Sequence, residues 1–110
     1  MLSYTYQAEK LADARRYLML PHTEGEEASI SECFHACSLA FNKFDESTLN
    51  DDARIWVAKL KKLMDTKDVP AATDGKGLWH AKALGFTTDD KIELSTLIDE
   101  LAFWFSYNDR

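Results

Sequence analysis

Apolar residues recur every three or four positions along nearly the whole chain, and no stretch alternates apolar with polar for long enough to make a strand. A step of three or four lines one face of a helix, while a strand repeats every two residues. The spacing therefore predicts an all-α fold. Four amphipathic segments joined by turns predict an antiparallel four-helix bundle, with a short extra helix in the long connection between helices 3 and 4.

Tyr4, Ala8, Leu11, Ala14 and Leu18 place the first helix over 4–19, with an ion pair expected between Asp13 and Arg16. Pro21 stops it, because the residue before a proline is pushed out of the α region. The second helix has two candidate starts, Thr23 with Glu26 and Ser29 with Glu32, each fitting a capping box. Its stripe is Ile30, Cys33, Phe34, Cys37, Phe41 and Phe44, and the Asp45-Glu46-Ser47 cluster ends it. A third helix over about 50–65 follows from Ala53, Trp56, Val57, Leu60, Leu63 and Met64, with Asn50 or Thr48 as its cap. Pro70, Gly75 and Gly77 punctuate residues 67–86, leaving room for a short helix over 78–84 closed by Gly85 in a left-handed conformation. A connection of that length is unusual in a small domain and draws attention as a place for function. The last helix starts at Thr87 or Thr88, where Thr87 and Asp90 fit a capping box. It carries Leu94, Leu97, Ile98, Leu101, Trp104 and Phe105 on one face.

The chain has 110 residues, the size of a single domain, and its 45% hydrophobic content excludes a disordered acidic tail. With 13 basic against 19 acidic residues the net charge is -6, which argues against nucleic acid or an anionic membrane as partner. The longest apolar run, Leu101 to Phe105, is far too short to span a bilayer, and nothing resembles a signal peptide. A soluble cytoplasmic domain is expected. Charge is uneven: residues 87–110 hold six acids and two bases, whereas Arg54, Lys59, Lys61 and Lys62 make the third helix locally basic. Either these faces complement one another inside the bundle, or an acidic face docks on a basic partner.

Candidate chemistry is sparse. In Cys33-Phe34-His35-Ala36-Cys37 the two cysteines share a helical face, but His35 points about 200° away from Cys33. Four ligands would be needed for zinc, so the cysteines are expected to behave as small core hydrophobes, with no metal and no cofactor bound. The acidic pairs Glu26-Glu27, Asp51-Asp52 and Asp89-Asp90 each fall at an expected helix start, where acids serve the dipole. Gly75-Lys76-Gly77 lacks the spacing of a phosphate loop, and the serines are scattered without a nucleophile signature.

Arg16 and His22, five residues apart, match the Arg-x(4–6)-His spacing of the HEPN helical-bundle ribonucleases, and a helical bundle is also the shape of that family. The chain resembles it in those two residues and in fold class. The resemblance implies a remote alternative in which Arg16 binds the scissile phosphate and His22 transfers a proton. The sequence departs from that pattern in carrying the pair in the first helix, in Pro21 directly before His22, and in its acidity.

The aromatic residues say more. Phe103, Trp104, Phe105 and Tyr107 point in four directions from the last helix and cannot all face one core, so some of them lie under the 67–86 segment or form an exposed patch. A patch on an acidic helix reads as an interface. The expected function is a non-enzymatic interaction module that forms a homodimer or masks a partner protein with a basic surface. Its contact would be made by Phe103, Trp104 and Tyr107, with Asp99 and Glu100 on the rim. The alternative is a small-ligand pocket under residues 67–86, built on Leu78, Trp79 and His80.

Overall fold

A computed structural model describes residues 3–19, 25–67, 69 and 77–109. Among these residues the chain is all-helical, with no strand: α1 (Thr5–Met19), α2 (Glu26–Ala40), a 3-10 turn over Glu46–Thr48, α3 (Asp51–Met64), α4 (Leu78–Leu84) and α5 (Thr88–Asn108). None of these helices is long and apolar enough to cross a membrane. The expected roles of Pro21, His22, Thr23, Pro70 and Gly75 fall outside the described residues.

The helix starts follow local chemistry. Asn50 caps α3 by accepting the Ala53 N–H at 2.9 Å. Thr87 caps α5 in a full capping box: its hydroxyl accepts the Asp90 N–H at 3.1 Å, and the Asp90 carboxylate accepts the Thr87 N–H at 3.0 Å. The pairs Glu26-Glu27, Asp51-Asp52 and Asp89-Asp90 all occupy first turns, where they face the positive end of the dipole.

Three sequence expectations are corrected. Ser29 lies inside α2 and does not cap it; the cap position is Gly25 at φ 100°, a conformation that a side chain would strain. Gly85 is not left-handed but sits at φ -86°, ψ 0°, because α4 closes with a tight turn in which the Gly85 N–H donates to the Lys82 carbonyl at 3.1 Å. Finally, α2 stops at Ala40, and Lys43 takes the left-handed φ of 56°. Phe41 and Phe44 still reach the core from this reversal, with ring centroids 5.8 and 5.7 Å from Phe105. The acidic cluster becomes the cap of the 3-10 turn, Asp45 accepting from the Ser47 N–H and hydroxyl.

Helix α1 packs on α2 and α5, α2 on α4, and α3 on α5. Leu11, Phe34, Val57, Leu60, Leu94, Ile98, Leu101 and Phe105 are fully buried in one core cluster. Burial of each such side chain stabilises the fold by about 1.5–3 kcal/mol before entropy is charged against it.

Tyr4 ties the ends together. Its ring meets Phe105 edge-on at 5.1 Å and Trp104 at 5.5 Å, while its hydroxyl donates to Thr48 Oγ1 at 3.1 Å. Asp109, just past α5, accepts the Tyr4 N–H at 2.9 Å and the Thr5 hydroxyl at 2.9 Å. The carboxylate from the end of one helix thus satisfies and neutralises the start of another.

Candidate functional site on the last helix

Successive residues of α5 turn by about 100°, so Ile92, Thr96, Asp99, Glu100, Phe103 and Tyr107 fall within roughly a third of its circumference. This stripe lies opposite Leu94, Ile98, Leu101 and Phe105, which are buried. All six stripe residues are exposed, Phe103 at 70%, Tyr107 at 72% and Ile92 at 60%. The rings of Phe103 and Tyr107 stack on each other, centroids 5.9 Å apart and planes 17° from parallel. The four terminal aromatics therefore take three directions rather than four, because residues 103 and 107 share a face at i,i+4.

Trp104 does not join the exposed pair. It is half-buried and packs against Tyr4 and Phe105, the latter at 5.0 Å. Phe105 is the fully buried member, closing the core beneath the other three. The structure thus brings Phe103, Tyr107, Asp99 and Glu100 to one surface and turns Trp104 toward the interior.

Beside the stacked rings a groove of about 390 Å³ runs between α1 and α5, lined by Ala8, Ala12, Arg15, Asp99, Ala102, Phe103 and Ser106. Its walls are low because four of these side chains are Ala or Ser. Arg15 donates from Nε to Asp99 Oδ1 at 2.8 Å, with both side chains more than half exposed, so the pair orients the rim more than it stabilises the fold. Ile92 and Ala12 are not singled out from sequence, and Ala8 is read there only as a member of the apolar stripe of the first helix. Ile92 was legible there, since it lies on the turn-spacing of Thr96, Asp99 and Phe103; the groove depends on how α1 meets α5 and has no signal in either helix alone.

The three residues expected at a ligand pocket all lie in α4, while Val69, Ala81, Lys82, Gly85 and Phe86 of the same 67–86 segment border a groove. Trp79 stands edge-on to Phe34 at 6.4 Å and to His35 at 6.4 Å, joining α4 to α2. Leu78 is exposed, and His80 is half-buried with Nδ1 enclosed and without a hydrogen-bond partner among the described residues. None of these three is among the described residues that line that groove of about 650 Å³ beside α4.

Cys33 and Cys37 are both free and fully buried, while His35 is exposed. The Cys37 thiol is pushed well above its ordinary range by its hydrogen bond with Cys33 and by burial. No group of three or more His, Cys, Asp or Glu among the described residues could hold a metal ion. Arg16 is ion-paired with Asp13, as the sequence predicts. No family model, curated protein or solved structure matches the chain.

Proposed function

We propose that this chain is a non-enzymatic interaction module, an acidic antiparallel four-helix bundle that associates with a second copy of itself through the outward face of α5. The observation that carries this reading is the stacked Phe103–Tyr107 pair, left exposed on the same stripe as Ile92. Large apolar side chains so arranged cost solvation in the monomer and recover it when covered. Phe103 also borders the groove over Ala8, Ala12 and Ala102, so projection and recess lie on one face, as a two-fold interface requires of each copy. In this reading Phe103 and Tyr107 anchor, Asp99 and Glu100 select at the rim, and Trp104 stiffens the helix beneath them. The antiparallel arrangement is supported by the pairing of the first turn of α1 with the end of α5 through Asp109.

Sedimentation equilibrium over a range of concentrations tests the reading. The wild type should fit a monomer–dimer equilibrium, and Phe103→Ala with Tyr107→Ala should weaken it at least about tenfold, as loss of two interface anchors does. A monomer at all concentrations that is instead captured by a protein with a basic surface would assign the same face to a different partner. Unchanged association in the double variant would remove the face from consideration.

A further inference from the structure

A groove of about 650 Å³ lies where the end of α3, the end of α4 and the start of α5 meet. Its floor is apolar, formed by Leu63, Val69, Ala81 and Phe86, and Lys59, Lys62 and Lys82 stand around it. Lys59 and Lys62 lie three residues apart on one face of α3, and Lys82 comes from α4. In a chain of net charge -6, Arg15, Arg16, Lys61 and Lys91 each have a carboxylate partner. The three groove lysines have none among the described residues. Two acids also border the groove: the Asp90 carboxylate is engaged by the Thr87 N–H in the α5 cap, and Glu93 is exposed. Three ammonium groups against two carboxylates leave the described lining of the groove with a net positive charge.

We infer that this groove binds a small organic anion with an apolar body, an acyl or aryl carboxylate whose tail lies on Leu63 and Phe86 and whose head meets the lysines. The volume falls within the range of small-ligand sites, and an apolar floor with a few converging charges is their usual composition. A bare inorganic anion would leave the floor uncovered, and an uncharged apolar molecule would leave the lysines unused. The groove meets α5 at Asp90 and Glu93, about 15 Å along the helix from Phe103, so this site is independent of the association face.

The test uses octanoate as probe, titrated into the 15N-labelled full chain at low ionic strength, with octylammonium and octan-1-ol as controls. Octanoate should produce saturable amide shifts centred on residues 59–63 and 81–86. Both controls should bind at least about tenfold more weakly, the difference that one or two screened charge contacts supply. Lys59→Met with Lys62→Met should lose a similar factor while keeping the wild-type helical circular dichroism, because both lysines are exposed. Glu93→Gln should bind octanoate more tightly, and Phe103→Ala should bind it unchanged. The inference is overturned if octanoate causes no shifts at millimolar concentration, if its shifts fall elsewhere, if octan-1-ol saturates as readily, or if the lysine variants bind as the wild type does.

Discussion

Cys33 and Cys37 are buried side by side in the core, and the consequence appears in alkali. Burial and the Cys33 thiol hold Cys37 protonated in the folded chain beyond its ordinary pKa of 9.0. The unfolded chain loses that proton near pH 9, so above it the folded state binds more protons and stability falls as pH rises. The slope is about 1.4 kcal/mol per pH unit for one thiol. Lys91, raised by its pairing with Glu26, acts in the same direction only above 10.5. Urea unfolding between pH 8 and 10 should therefore show the decline in the wild type and lose most of it in Cys37→Ala; an equal slope in both would contradict the assignment. At the acid end, Ser47 lowers the Asp45 pKa, so the support Asp45 gives the 3-10 turn is present above its ordinary 3.8 and fades as pH falls below it. That the cysteines are core residues was legible from their place between Ile30 and Phe41. Their mutual hydrogen bond was not, since it depends on rotamers that the i,i+4 spacing permits without requiring.

Two helix starts carry tests of their own. Thr87→Ala removes half of the α5 capping box and should cost about 1 kcal/mol, with Thr87→Ser restoring most of it, as read from thermal midpoints. Asp109→Ala should cost a similar amount, about 1 kcal/mol, although Asp109 lies in neither α1 nor a turn next to it. Its carboxylate accepts the Tyr4 N–H, just before α1, from across the fold. The difference between these two caps explains what the sequence could and could not reveal. Thr87 and Asp90 are three residues apart, so the box is written locally. Asp109 and Tyr4 are at opposite ends of the chain, and only tertiary packing joins them. The same distinction accounts for α2: the Thr-x-x-Glu and Ser-x-x-Glu patterns are both present, but a glycine at positive φ holds the cap position. The aromatic stripe through Phe41 and Phe44 was right about burial and wrong about helix, because a left-handed Lys43 can return the chain to the same core that a longer helix would have reached.

Across the whole molecule, the aromatics of α5 divide stability from association. Phe105→Ala should destabilise the fold by about 3–5 kcal/mol, while Phe103→Ala, two positions away and exposed, should change stability by no more than about 0.5 kcal/mol. The second variant should nonetheless weaken self-association. Salt separates the two kinds of partner: association of two chains of charge -6 strengthens as their repulsion is screened, whereas docking on a basic surface weakens. The sequence revealed that the last helix carried more aromatic surface than one core can absorb; which rings stay outside was decided by how Tyr4 and α1 cover Trp104 and Phe105. The most direct measurement is a dilution series of the 15N-labelled wild type, following amide shifts from high to low concentration. The face described here requires that the concentration-dependent shifts gather on Ile92, Asp99, Phe103, Ser106 and Tyr107 of α5 and on Ala8 and Ala12 of α1. Spectra that do not change with concentration, or shifts gathered on another face, would contradict it.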